Sequence, residues 1–478
     1  PSGETIYYGH TVSATGGQLD LDSNPGCSID GINAENIYWP EGQGPAGDFT
    51  VSVDMYDDCE VGGAAGTLTI HHCGEDSPES HPFSLGASGS QEFTFTNPGC
   101  GYSVAGRVTY EDFVPGEAGL VSGGFKPARF IQVQVTRENG DVIGRTKTDR
   151  AGHFLVRFVD PENPDPTYRV RAVAEEEGWV VRQRVLDATE QLWSWETETT
   201  FLASEEPHRS GVELAVDRAH GAGALNIFDA GVRGFEVARA HTGTSPGMLT
   251  WFWSPGWHVT SSFNPGLFAI RISGWDEDPD EYDDTTLLHE FGHLLMEVYS
   301  RDDSSGGTHS VFDWEAPTRA WSEGWAIFFG CVANDTRWIV NAKDTGYRWR
   351  VDLDQLPVRH PDGSGFGMRL GTRDNALGGD LSEAAVASIL WDLHDASNET
   401  YDNVTGRDDA IWDALVRGLG RGTALASDRG VAGRDLFDFL DAWIRRGHGG
   451  LGAHSEDGLQ GVVFTLHQMI AYDFSPPP

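Results

Sequence analysis

The chain has 478 residues, with 73 Asp and Glu against 33 Lys and Arg, for a formal net charge of −40. So acidic a surface excludes nucleic acid and anionic membrane as partners, and no apolar run approaches the ~20 residues of a membrane span. The length exceeds one ordinary core and calls for two or three domains, while the acidity suits a saline medium that screens self-repulsion.

Residues 1–102 read as an all-β module, expected to be a sandwich. Phe49-Thr50-Val51-Ser52-Val53, Thr67-Leu68-Thr69-Ile70 and Phe93-Thr94-Phe95 alternate in polarity and are separated by Gly, Pro, Asn and Asp. Cys27, Cys59, Cys73 and Cys100 cluster here without C-x-x-C spacing, while Cys331 stands alone in a later apolar run. That predicts two disulfides and a secreted, extracellular location, with Cys331 a buried free thiol. Of the three pairings, Cys59–Cys73 with Cys27–Cys100 is favoured, because the segments flanking Cys59 and Cys73 read as neighbouring strands. The opening Pro1-Ser2-Gly3-Glu4 reads as a trimmed terminus. Tyr7, Tyr8 and Trp39 are expected to pack. Such modules often meet a glycan or a cell surface, but this one carries no signal for a particular ligand.

Residues 103–205 read as a second β module, with Ile131, Val133 and Val135 alternating, then Phe154, Val156 and Phe158, then Val170 and Ala172. Glu138-Asn139-Gly140-Asp141 and Asp149-Arg150-Ala151-Gly152 are the turns between them. Gly106-Arg107-Val108 with Gly144-Arg145-Thr146-Lys147-Thr148-Asp149-Arg150-Ala151-Gly152-His153-Phe154 resembles the transthyretin-like regulatory domain that accompanies carboxypeptidases. The resemblance implies a small sandwich with no catalysis of its own.

From 206 to 478 the pattern turns α+β. Ala224 to Val232 opens an amphipathic helix, and Met248–Trp253 and Leu267–Ile272 read as strands. Gly243-Thr244-Ser245-Pro246-Gly247 matches G-x-S-x-G. Pro246, however, lacks the N–H that a nucleophile elbow donates to its oxyanion hole, so this is a turn. The loop Asp276-Glu277-Asp278-Pro279-Asp280-Glu281 is a candidate Ca²⁺ loop without EF-hand spacing.

Next comes His289-Glu290-Phe291-Gly292-His293, of the form H-E-x-x-H. Leu287, Leu288, Phe291, Leu294, Leu295 and Val298 follow helical spacing, and Asp283, Asp284 and Thr285 suit the helix start. On one helix face, imidazoles at i and i+4 can share a Zn²⁺. The Glu between them then lies beside the open position as general base. Gly292 is expected to let another segment come close. Zinc with an open position needs a third protein ligand. The metzincin pattern is excluded, since Met296 and Tyr299 stand where it needs Gly and His. Glu323, at the start of an apolar run Ala320–Phe329 that Ser322 would cap, is a lone carboxylate in costly surroundings. Glu315 and His309 are its competitors.

His289-Glu290-Phe291-Gly292-His293 followed by Ser322-Glu323-Gly324-Trp325-Ala326 resembles the gluzincin peptidases. The second motif is similar to the E-G-W-S-D of fungalysins and the N-E-G-F-A of zinc aminopeptidases. The resemblance implies His289, His293 and Glu323 as metal ligands and Glu290 as general base. The gap to Glu323 is longer than in typical members, with Asp302-Asp303-Ser304-Ser305-Gly306-Gly307 reading as an inserted loop. Ile327 stands where thermolysin-like and fungalysin members carry an Asp that orients a ligand His, so that support must come from elsewhere.

Helices are expected over Glu383–Asp395, Asp408–Leu415 and Asp435–Trp443. His394, His360 and Tyr347 are candidates to stabilise an oxyanion, with His394 placed first as a catalytic residue; Glu383 and Asp392 are candidates to support the ligands. The expected architecture is therefore multidomain: two N-terminal all-β sandwich modules followed by an α+β zincin-like metallopeptidase domain. The expected activity is that of a secreted zinc peptidase acting on protein or peptide, endopeptidase before aminopeptidase. The rival reading is an extracellular adhesion or assembly protein with a latent zinc domain.

Overall fold

A computed structural model describes residues 3–21, 27, 32, 34–39, 47–57, 59–60, 62–72, 78–97, 102–158, 160, 166–178, 180–203, 205–206, 208–311, 313–343, 346–354, 381–396, 404–425 and 431–448. β-Sheets fill the N-terminal half and helices follow. Contacts group the chain into two compact units that interleave in sequence. The first takes residues 1–109, 127–173 and 194–216; the second takes 110–126, 174–193 and 217–478. The limits at 102 and 205 remain a reading of the sequence.

In the first unit, Gly47–Asp54 pairs with Ser90–Asn97 and Gly63–Ile70 with Glu79–Gly86, both antiparallel. Side chains alternate half-buried and exposed along Gly47–Asp54, as a two-residue period requires. Phe49 stacks on Phe95 at 5.2 Å between centroids. Cys27 is bonded to Cys59, which overturns the favoured Cys59–Cys73 and Cys27–Cys100 pairings. Gly63–Ile70, which leads to Cys73, pairs forward with Glu79–Gly86 and not with the segment that ends in Cys59. Cys73 and Cys100 themselves lie outside the described residues. Trp39 packs edge-on to Phe49, whereas Tyr7 and Tyr8, though edge-on to each other, stay exposed.

Gln18–Leu21 pairs antiparallel with Asn36–Tyr38, and two larger sheets follow. One runs Val142–Lys147, Gln132–Arg137, Thr167–Val173, Ser194–Glu196; in the other, Tyr102–Gly116 lies between His153–Phe158 and His208–Val216. The alternating Ile131, Val133, Val135, Phe154, Val156, Phe158, Val170 and Ala172 are all buried. At the Asp149 turn, one carboxylate oxygen accepts from the N–H groups of Ala151 and His153, 2.8 Å each.

In the second unit a sheet runs Glu175–Glu177, Arg182–Leu186, Leu249–Phe252, Ala269–Arg271, Ser262–Asn264. Leu249–Phe252 is parallel to both its neighbours, and Ser262–Asn264 is an antiparallel edge. Helices α1 (Ala222–Thr242), α2 (Asp284–Tyr299), α3 (Pro317–Ala333), α4 (Glu383–His394), α5 (Asp408–Asp413) and α6 (Leu436–Arg445) follow. The α2 stripe Leu287, Leu288, Phe291, Leu294 and Leu295 is at most 1% exposed, and Phe291 meets Phe235 of α1 edge-on. Two helix starts differ from expectation. Asp283 precedes α2 without capping it, because its carboxylate is turned to the Ala342 N–H at 2.8 Å. Pro317 opens α3, so Ser322 and Glu323 lie in its second turn and Ser322 is no cap. No described helix is long and apolar enough to cross a membrane.

Candidate metal centre

Helices α2 and α3 cross where neither has a side chain in the way. A Cβ on Gly292 of α2 would stand 2.8 Å from the Ala326 Cα of α3, and one on Gly330 of α3 would stand 2.7 Å from the Thr285 carbonyl oxygen of α2. The crossing is stitched by the Trp325 indole N–H, which donates to the Gly292 carbonyl at 3.2 Å. Helical periodicity then decides what meets. His289 and His293, one turn apart, put their Nε2 atoms 3.2 Å from each other. Glu323 Oε2 lies 3.2 Å from each of those nitrogens.

That spacing discriminates between kinds of site. A tetrahedral ion with bonds of about 2.0–2.1 Å holds its ligand atoms roughly 3.3 Å apart, which is what these three donors show. Their chemistry, two imidazoles and one carboxylate, suits zinc and leaves a fourth position open. Electrostatics agrees. Burial disfavours charge on both His293 and Glu323, yet Glu323, Glu290 and Asp302 lift His293 to about 10. In turn His293 and His289 hold Glu323 well below the usual carboxylate range. The site demands positive charge where the three donors converge.

Outer contacts fix the donors. Ser322 Oγ donates to Asp302 Oδ2 at 3.0 Å and accepts from His293 Nδ1 at 3.2 Å. With its proton on Nδ1, His293 keeps the Nε2 lone pair for a metal. This pair provides what Ile327 cannot. Glu323 Oε1 faces His309 Nε2 at 3.5 Å, and His309 Nδ1 donates to Glu383 Oε1 at 2.6 Å. The bond to Glu383, more than the opposing burial, raises His309 to about 9, helped by the charge of Glu323. Glu290 is buried beside the donors, and its Oε2 accepts the Phe263 N–H of the sheet edge at 2.7 Å.

Other candidates go elsewhere. Glu315 is paired with Arg319 at 2.7 Å and takes no part in the donor cluster. His309 reaches Glu323 but stands outside the three-donor group. His394 bonds Asp408 at 2.6 Å and sits among Trp391 and Phe328. It ends α4 while Glu383 begins it, about 16 Å apart at 1.5 Å per residue. Among the described contacts, His394 meets Asp408 and these rings and not the three donors. Asp392 lies near that same far end of α4. His360 and the Tyr347 side chain lie outside the described residues. Among the described residues, no three carboxylates of the Asp276–Glu281 loop meet as cation donors, so the Ca²⁺ expectation gains no support there.

Sequence reasoning missed the short edge strand Ser262–Asn264 and the Asp302 contact. It weighed His309 as a metal ligand and Glu383 only loosely as a supporting residue. A polar side chain near a ligand motif was the available signal, and it is a weak one without geometry. Residues 239–410 match the family model described as the mycolysin C-terminal domain. The match covers α2, α3 and α4 and links this stretch to zinc metallopeptidases of the mycolysin and thermolysin kind; it does not reach the N-terminal β-sheets. No curated protein matches the chain.

Proposed function

We propose that the chain is a secreted zinc-dependent endopeptidase, with His289, His293 and Glu323 holding the metal and Glu290 as general base. The observation that carries this reading is the triangle of donor atoms, 3.2 Å on each side, with Glu290 fixed beside it. The Cys27–Cys59 bond supports export. Zinc, when bound, supplies a Lewis acid that polarises the scissile carbonyl and lowers the pKa of a water.

The chain's own residues do the rest. Glu290 Oε2 is engaged by Phe263, so the other oxygen, Oε1, takes the proton of the attacking water and passes it to the leaving amine. Because the Phe263 N–H points to Glu290, it points away from Ala269–Arg271, and its carbonyl lies on the same outward side. With its N–H held by Glu290, Phe263 offers an extended peptide its carbonyl alone, an acceptor for a main-chain N–H that makes no demand on side-chain identity. That favours an endopeptidase over an enzyme that grips a chain terminus. The N-terminal β-sheets are assigned no catalytic part, and a glycan or cell surface remains their candidate ligand.

The test is cleavage of unfolded casein by the chain and by Glu290→Gln, with zinc measured in both. Zinc in both and cleavage only in the unsubstituted chain is the expected result. Cleavage by Glu290→Gln at the unsubstituted rate would refute the assignment of the base.

A further inference from the structure

A second group of possible donors adjoins the first: His309, Glu323 and Glu383 each bring one ligand atom within 4.8 Å of the others. Two readings compete, a second metal ion bridged by Glu323 or a relay in which His309 hydrogen-bonds Glu383 and forms an ion pair with Glu323. Spacing separates them. His309 Nδ1 and Glu383 Oε1 are 2.6 Å apart, a charge-assisted hydrogen bond, well under the roughly 3.3 Å between ligand atoms on a tetrahedral ion. The ring also turns its two nitrogens to two different carboxylates, Nδ1 to Glu383 and Nε2 to Glu323, and one imidazole cannot offer both nitrogens to one ion. Glu383 is 1% exposed at the start of α4, held by a helix end that Ser382 caps through the Ala385 N–H. The relay therefore has a fixed foot.

We propose that His309, anchored by Glu383, is a positioning residue that reserves Oε1 of Glu323, so that Glu323 meets the metal through Oε2 alone. This rests on the zinc reading above. A carboxylate free to turn can bind through both oxygens and fill the position that a substrate or water needs. With Oε1 given to His309, the carboxylate stays one-armed and that position stays open. The connector that carries His309 is itself fastened. Asp303 is gripped by Arg301 and by the backbone N–H of Arg434 at 2.8 Å, and Ser305 accepts from Arg319 at 2.9 Å. The connector thus brings two outer contacts to the site, Asp302 for His293 and His309 for Glu323.

The experiment compares the full chain with His309→Ala, His309→Gln, Glu383→Gln and the double variant His309→Ala/Glu383→Gln. It measures zinc affinity by competition with a chromophoric chelator, zinc per chain, and the visible spectrum of the cobalt-substituted protein. Loss of an outer contact typically weakens metal binding by about 10- to 100-fold, and His309→Ala is expected to fall in that range. Its cobalt bands should weaken as the carboxylate takes a second bond and coordination rises. His309→Gln, which keeps an N–H donor, should recover part of both and guards against a folding defect in the Ala variant. The double variant should be no worse than His309→Ala, since both changes cut one relay. Unchanged affinity and spectrum in His309→Ala, or additive losses, would overturn the relay. Two zinc ions per chain, one of them lost with His309, would replace it with a second metal site. No zinc in the unsubstituted chain would instead sink the zinc reading itself, before His309 is reached.

Discussion

Helices α2 and α3 place His289, His293 and Glu323 through backbone periodicity and one close crossing, so each donor follows from its neighbours in sequence. The connector 300–316 works differently. Its described residues form no helix or strand between the two helices, and it places Asp302 and His309 through long-range ties to Ser322, Arg434 and Glu383. On the proposed reading, the helix pair decides whether a metal can be held, and the connector decides how it is held. Changes in the first should abolish function, whereas changes in the second should tune it.

The sharpest way to break that division lies at Glu290. A general base typically contributes about 10²- to 10⁴-fold, so Glu290→Gln should lose casein cleavage by that order while zinc content is unchanged; loss of zinc as well would mean that Glu290 serves the metal. In the connector, Asp302→Asn weakens the acceptor behind Ser322 and His293. Zinc affinity should drop about tenfold, at the low end for outer contacts, with the metal-free melting temperature little changed, and chelator competition reads the difference. Where α3 packs on α4, Gly324→Ala would press a methyl onto Val386 and the Glu383 carbonyl. Overpacking costs about 1–3 kcal/mol, partly offset by the ~1 kcal/mol that Ala gains over Gly in a helix. A lower denaturation midpoint is expected, and an unchanged one would mean that the helices can separate freely.

The smallest expected effect is at the entry to α2. Burial pushes the Glu281 carboxyl up to about 8 from 4.5. Between those values the unfolded chain releases a proton that the folded chain keeps, so stability falls as pH rises through that window. Glu281→Gln should remove this loss, melting higher than the unsubstituted chain at pH 9 and alike at pH 4. Equal melting at both values would place Glu281 in contact with water.

What was legible in the sequence follows the same line. His289, Glu290 and His293 stood out because a four-residue spacing lay on an apolar stripe, and Glu323 because a lone carboxylate sat in a buried run. The alternating core of the second β region was readable for a similar reason: a two-residue period is local. The disulfide partner of Cys59 was not readable, because it depends on which ribbons pair, and pairing is a long-range choice. Ser262–Asn264 is three residues long, too short to show alternation, so the edge that holds Glu290 went unseen. His394 stood out for its chemistry alone, and its bond to Asp408 fourteen residues on was not readable from spacing.

The most direct test of the central claim is the metal content of the natively purified chain beside that of Glu323→Ala. One zinc per chain, lost in the variant, is the predicted result. An unsubstituted chain without zinc, or a variant that keeps its zinc, would contradict it.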